Sequence, residues 1–193
     1  FPRAGGNGAV VSRNGTLRVF HGTFSNNGGT FTSDILVIGS GGTATLEVRN
    51  TILANGNHGT NGFNCLGFNS VSMSGSGNLI ESDGDVGGST TACAGVVETA
   101  DPQLGPLQIN APGNTPTMAI DGDSPAFDAA SGTGALFTDQ RGVVRPQGDA
   151  FDIGAYELIV ADLSIEKACY GRPPQGSPTQ DPDVVIAGTQ WIC

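Results

Sequence analysis

Two stretches of the chain share one pattern of apolar and polar positions. Leu17-Arg18-Val19-Phe20-His21-Gly22-Thr23-Phe24-Ser25-Asn26-Asn27 aligns with Leu46-Glu47-Val48-Arg49-Asn50-Thr51-Ile52-Leu53-Ala54-Asn55-Gly56 at an offset of 29 residues. Each copy is a short alternating run, a small polar corner, a second short run and an Asn/Gly turn. Alternation puts successive side chains on opposite faces of an extended strand. Leu17, Val19, Leu46 and Val48 are therefore predicted to point inward, with the residues between them facing solvent. A weaker third copy runs through Val71-Ser72-Met73 and Asn78-Leu79-Ile80. A period of this length is that of a stacked β-coil solenoid. Stacking the copies sets Arg18 beside Glu47 and His21 beside Asn50, one strand spacing (~4.8 Å) apart. The first pair is expected to be an exposed ion pair worth about 0–1 kcal/mol. His21 is read as a corner residue, because a single His without a second ligand makes no metal site.

Composition supports the same reading. The chain has 193 residues with 31 Gly and 11 Pro, 37% hydrophobic, 13% charged and 6% aromatic residues. Gly costs about 1 kcal/mol per helical position relative to Ala, which argues against helical bundles. Low charge argues against intrinsic disorder. An all-β chain with many turns remains. Gly5-Gly6, Gly28-Gly29, Gly41-Gly42 and Gly87-Gly88 punctuate the strand runs. They are expected where φ is positive and where a side chain would strike the next coil. Asn tolerates the same conformation, and its amide can bond a neighbouring coil.

Net charge is −10, and the eight basic residues are Lys167 and seven scattered Arg. No basic stripe exists to neutralise phosphates, so nucleic acid is excluded as a partner. Acidic residues concentrate from Asp101 to Asp183. No window approaches the ~20 apolar residues of a membrane span. The chain opens on Phe1-Pro2 and closes on Trp191-Ile192-Cys193, and is expected to be a processed or partial piece of something longer. Four Cys suggest two disulfides, with three connectivities open. No pair has the Cys-x-x-Cys spacing of a zinc site.

The closing half carries a denser set of motifs. They are Asn50-Thr51-Ile52-Leu53-Ala54-Asn55, Asn64-Cys65-Leu66-Gly67, Asn78-Leu79-Ile80, Asp101-Pro102-Gln103-Leu104-Gly105-Pro106-Leu107, Pro116-Thr117-Met118-Ala119 and Ser124-Pro125-Ala126-Phe127-Asp128-Ala129. Two more complete it, Asp139-Gln140-Arg141-Gly142-Val143-Val144-Arg145-Pro146-Gln147-Gly148 and Asp152-Ile153-Gly154-Ala155-Tyr156-Glu157. In this order they resemble the C-terminal part of bacterial secreted right-handed parallel β-helix surface proteins, of the choice-of-anchor and polymorphic-outer-membrane-repeat type. The resemblance covers residues 1–158 and implies a right-handed parallel β-helix with an irregular C-terminal cap. It implies a structural closing block, in which Asp139, Arg141, Arg145, Asp152 and Glu157 would form bidentate pairs that hold irregular backbone. It also implies a Cys65–Cys93 disulfide, leaving Cys169 and Cys193 to close a loop around the Pro-rich stretch from Arg172 to Pro182. The chain-entropy relation gives roughly 3–4 kcal/mol for each bridge.

Residues 159–193 form a different segment. Ala161-Asp162-Leu163-Ser164-Ile165-Glu166-Lys167 and Asp183-Val184-Val185-Ile186-Ala187-Gly188-Thr189 resemble the start of a bacterial surface Ig-like repeat. A full sandwich takes about seven strands and ~100 residues, so the domain is incomplete. Leu163, Ile165, Val184, Ile186 and Trp191 are its candidate interface, with the missing strand pairing supplied by a neighbour.

Little catalytic chemistry is visible. Glu81, Asp83 and Asp85 fall at i, i+2 and i+4, as in Ca²⁺ loops, yet the later bidentate Glu is missing. They stand as weak candidates, and no cofactor is expected. Asp121-Gly122-Asp123 is either a cation site or a charged turn. No nucleophile elbow, His-Glu-x-x-His motif or P-loop occurs, and the two histidines are His21 and His58. Asn14-Gly15-Thr16 fits the N-glycosylation pattern. The expected role is a non-enzymatic structural component of an extracellular or cell-surface assembly, with self-association or neighbouring domains as partners. In a sharper form, the chain is a filament subunit whose tail pairs with the next copy. The alternatives are a carbohydrate-active or carbohydrate-binding β-helix module, and an adhesin. An enzyme would show acids and bases from adjacent coils converging on an exposed groove.

Overall fold

The alternating runs fold as strands. The computed structural model describes residues 9–27, 34–56, 63–82 and 90–160. Nine strands form three repeats of three. The first repeat holds β1 (Val10–Arg13), β2 (Gly15–Phe20) and β3 (Thr23–Ser25). The second holds β4 (Ile35–Ile38), β5 (Ala44–Arg49) and β6 (Ile52–Ala54), and the third β7 (Cys65–Phe68), β8 (Val71–Ser76) and β9 (Asn78–Ile80). Each strand of the first two repeats pairs in parallel with the strand three places on, giving the ladders β1-β4-β7, β2-β5-β8 and β3-β6-β9. The all-β expectation holds, and no helix occurs among the described residues.

The middle ladder follows the predicted alignment. Leu17 faces Leu46 and then Met73, and Val19 faces Val48 and then Gly75. Leu46, Val48, Ile35, Val37, Leu53, Cys65 and Ile80 form the central core. Arg18 meets Glu47 at 2.9 Å, across 29 residues.

Left-handed residues make the corners. His21, Asn50 and Gly77 occupy one column, with φ of 48°, 50° and 63°. At Gly77 a Cβ would lie 2.3 Å from Asn50 Oδ1, so this position needs Gly for space as well as φ. Gly41 also has positive φ, but a Cβ at Gly41 or Gly42 would meet nothing within 4 Å. The expected clash is thus misplaced at this pair, because the turn projects outward. The other three Gly pairs lie outside the described residues. Close approach instead falls within strand and crossover positions such as Gly75, where a Cβ would sit 2.3 Å from the Ala94 carbonyl oxygen.

After β9 the chain reverses. β10 (Thr90–Thr91) runs antiparallel on β7, and β11 (Val96–Glu98) lies parallel on β9. The Cys65–Cys93 disulfide ties this return to the core. From 99 to 160 the chain is mostly irregular, with one small hairpin of β12 (Gln108–Ile109) and β13 (Pro116–Thr117). Its apolar residues Ile120, Ala126 and Ile153 pack on Ile52, Ala54 and Leu79. The segment therefore lies along the outer face of the β3-β6-β9 sheet, and the expectation of a cap becomes a lateral cover. The cause is visible in β6: Leu53 turns into the core, while Ile52 and Ala54 turn outward and need burying. The chain divides between Val160 and Ala161. Cys169, Cys193, Leu163, Ile165, Val184, Ile186 and Trp191 lie outside the described residues, as do Asp83 and Asp85.

Candidate functional site: a buried ionic cluster beside His21

Asp139, Arg141, Arg145, Asp152 and Glu157, picked out from the sequence, converge in the lateral cover and are buried. Asp139 nucleates a tight turn. Its Oδ1 accepts the backbone N–H groups of Arg141 at 2.7 Å and Val143 at 2.9 Å. Its Oδ2 accepts Arg141 Nε at 2.7 Å and the Glu157 N–H at 3.0 Å. Arg141 donates onward to the carbonyls of Ala111 and Glu157, and its guanidinium stacks 3.6 Å from the centre of the Tyr156 ring. Arg145 donates through Nη1 to Glu157 Oε2 and the Asp152 carbonyl, each at 2.8 Å, and through Nη2 to the Gly154 carbonyl at 2.7 Å. Glu157 uses its remaining capacity on the N–H groups of Gln147 and Asp152.

The expected bidentate forks are not formed. Both ion pairs meet a single carboxylate oxygen, Asp139 Oδ2 and Glu157 Oε2. The other oxygens are taken by backbone amides, which an irregular segment leaves without ladder partners. Asp152 accepts the N–H groups of Asp128 at 2.8 Å and Leu158 at 2.6 Å, and its side chain takes no Arg among the described residues. Burial pushes its carboxyl up to about 6, with Glu157 and Asp128 adding to the rise against those two amides. Burial likewise lowers Arg145 from its ordinary value, against the pull of Glu157, Asp139 and Asp152.

His21 stands where the first repeat meets this cluster. Asn50 Oδ1 accepts the Ser131 N–H at 2.8 Å, and its Nδ2 donates to the Ser131 carbonyl at 2.9 Å. That orientation makes Nδ2 the donor to His21 Nε2 at 3.1 Å, so the neutral ring carries its proton on Nδ1. Burial and the nearby Arg145 guanidinium press His21 down to about 4. A cleft of about 450 Å³ opens here, lined by His21, Phe24, Leu136, Asp139, Gln140 and Arg145 among others. Its charged members come from the cover rather than from adjacent repeats; both Asp139 oxygens accept hydrogen bonds within the chain, whereas Arg145 Nε and His21 Nδ1 are buried without a hydrogen-bond partner among the described residues.

Other candidates resolve locally. Glu81 accepts the Asn55 N–H, and Asp121 Oδ1 accepts the Asp123 N–H at 3.1 Å in a charged turn. Among the described residues no three His, Cys, Asp or Glu side chains group as metal ligands, and no helix is long and apolar enough to cross a membrane. Asp34 went unrecognised in the sequence. Fully buried, it accepts Asn27 Nδ2 at 2.7 Å and Asn64 Nδ2 at 2.6 Å. Its signal was available: Asp34 and Asn64 each stand just before strands that pair, Ile35 opposite Cys65. No protein family, curated protein or solved structure matches the chain.

Proposed function

We propose that the chain is the end portion of a right-handed parallel β-helix and serves as a non-enzymatic structural component of an extracellular or cell-surface assembly. One observation carries the reading: every carboxylate oxygen of the buried ionic cluster accepts a hydrogen bond from within the chain. Asp139, Asp152 and Glu157 each accept backbone amides, and Arg141 and Arg145 each donate to backbone carbonyls. Carboxylates so engaged hold irregular chain in place rather than standing free as acid or base toward a substrate. The ladder order supports the β-helix, since three strands per repeat in constant succession trace a coil. Right-handed crossovers are the general rule for parallel strands. The Cys65–Cys93 disulfide suits an oxidising compartment. In the filament form of this proposal, residues 161–193 pair with a neighbouring copy.

The cleft beside His21 favours the second reading, a carbohydrate-binding or carbohydrate-active module. Incubation with polyuronates and neutral glycans, followed by binding, reducing-end and unsaturated-product assays, separates the two. The structural role predicts intact polymers and no saturable glycan binding. Cleavage by the purified chain establishes the enzyme instead. Immunogold electron microscopy of the producing cells tests the location, with label confined to the cytoplasm counting against the assembly.

A further inference from the structure

His21, Asn50 and Gly77 fill one corner column with three different residues, and the differences let the cover enter the ladders. Gly77 has no side chain where a Cβ would lie 2.3 Å from Asn50 Oδ1 and 2.6 Å from the Ser131 nitrogen. Ser131 uses that space and meets Asn50 in two bonds. Its N–H lies 2.8 Å from Oδ1, and its carbonyl oxygen 2.9 Å from Nδ2. Backbone donors and acceptors cannot exchange roles, so these bonds fix which end of the Asn50 amide is the oxygen. The second Nδ2 hydrogen then goes to His21 Nε2 at 3.1 Å. Each donor in this chain of bonds has its acceptor only while Nε2 is unprotonated.

A proton on Nε2 sets one donor against another. The Asn50 amide can answer by turning its oxygen to the ring, but Nδ2 then faces the Ser131 N–H and both Ser131 bonds are lost. The charged neighbours give the imidazolium no other counterpart. On β5, Arg49 is paired with Glu47 at 2.6 Å. In the cover, Arg145 adds a charge of the same sign and already donates to the Asp152 and Gly154 carbonyls. The carboxylates of Asp139, Asp152 and Glu157 accept bonds on both oxygens. Burial first, and Arg145 second, press His21 down to about 4, against a weaker pull from the Gly154 and Asp152 carbonyls.

We propose that His21, Asn50 and Ser131 form an acid-operated latch: protonation of His21 turns the Asn50 amide and frees cover residues 131–136 from the ladders. The rest of the cover stays in place. Gly154 still donates to the Asn50 carbonyl at 2.9 Å, and the apolar seam of Ile52, Ala126 and Ile153 is untouched. Within the freed segment, the Thr133 N–H donates to Ser131 Oγ and the Ala135 N–H to the Gly132 carbonyl, bonds that do not reach the ladders. The last residue of the segment, Leu136, lines the cleft beside His21, so acid loosens one wall of that cleft. The latch is independent of the biological role proposed above.

Amide hydrogen exchange on the full chain, followed by NMR and corrected for the intrinsic effect of pH, reads the latch. The freed ring titrates at its ordinary 6.5 and the latched ring at about 4, so Ser131 protection should fall several-fold per pH unit between those values, up to about 300-fold in all. Leu79, bonded within the ladder to the Thr51 carbonyl, should not follow. Asp152 does not offset this local effect, because its side chain bonds Asp128 and Leu158, outside the freed segment. His21→Asn keeps an acceptor oxygen at the corner and takes up no proton. That variant, folded by circular dichroism, should hold Ser131 protection level across the range. If it does not fold, imidazole ¹⁵N shifts of the unmodified chain decide. The His21 ring and the Ser131 amide must titrate together, starting from a neutral ring with its proton on Nδ1. Ser131 protection that is flat with pH overturns the latch, as does an equal fall at Leu79. A neutral ring protonated on Nε2, or an acid response that survives His21→Asn, overturns it too.

Discussion

His21 and Asp152 lie close to the same guanidinium and respond to pH in opposite senses. Asp152 rises from 3.8 to about 6 on folding, so between those values the native state holds a proton that the unfolded chain has released. Its contribution is greatest below pH 4 and is lost as pH rises toward 6. His21 falls from 6.5 to about 4, so in nearly the same window the unfolded chain holds the extra proton. Its contribution is fully present above pH 6.5 and is lost as pH falls toward 4. Each effect is on the order of 3 kcal/mol when complete, and together they largely cancel. Replacing His21 with Asn, the residue of the next repeat at this corner, should leave a stability that declines from pH 4 to 6. Asp152→Asn should leave one that climbs. Urea midpoints across that range decide the matter, and parallel slopes in the two variants would defeat the assignment. Arg145 is tested differently. Arg145→Met strands Glu157 as a buried, unpaired charge and should cost about 3–5 kcal/mol. Adding Glu157→Gln to that variant should recover part of the loss, measured as a rise in Tm over Arg145→Met alone.

At the scale of the strand, legibility followed periodicity. β2 and β5 were readable because Leu17, Val19, Leu46 and Val48 alternate with polar residues at a fixed offset, and their pairing follows from it. β8 was fainter because Met73 and Gly75 replace Leu and Val in the inward column. The run Ile52-Leu53-Ala54 does not alternate, since both of its faces are buried, and only a cover on the outer face explains it. That cover left no periodic trace, because its order comes from side chains bonding backbone instead of from a ladder. The cluster residues could be singled out by type, but single-oxygen pairing depends on which amides the irregular chain brings near. Gly77 and Gly41 separate the two uses of glycine. Gly77→Ala strikes Asn50 Oδ1 and the Ser131 amide, and should cost well over the roughly 1–2 kcal/mol of left-handed strain alone. Gly41→Ala carries only that strain. Thermal melts of the two variants provide the comparison, and equal losses would show that the Asn50–Ser131 junction tolerates the added carbon.

For the unit as a whole, the question is whether the cover and the ladders melt together. They share an apolar seam of Ile52, Ala54, Leu79, Ile120, Ala126 and Ile153, and a few backbone bonds cross it. Gly154 donates to the Asn50 carbonyl at 2.9 Å, and Ala155 to Thr23 Oγ1 at 2.9 Å. The Cys65–Cys93 bridge restrains the return that leads into the cover, so the two parts are joined by chain, seam and disulfide. The ladders possess their own apolar core around Leu46, Val48 and Leu53, whereas the apolar packing of the cover is the seam itself. Local opening should therefore begin with the cover. Ile153→Ala removes a fully buried side chain from the seam and should cost about 2–5 kcal/mol. If the cover opens first, hydrogen exchange in the variant accelerates more at the Gly154 and Ala155 amides than at Leu79, whose N–H donates to the Thr51 carbonyl within the ladder. Equal acceleration at all three would mean one cooperative unit, with the cover as integral to the fold as the strands beneath it.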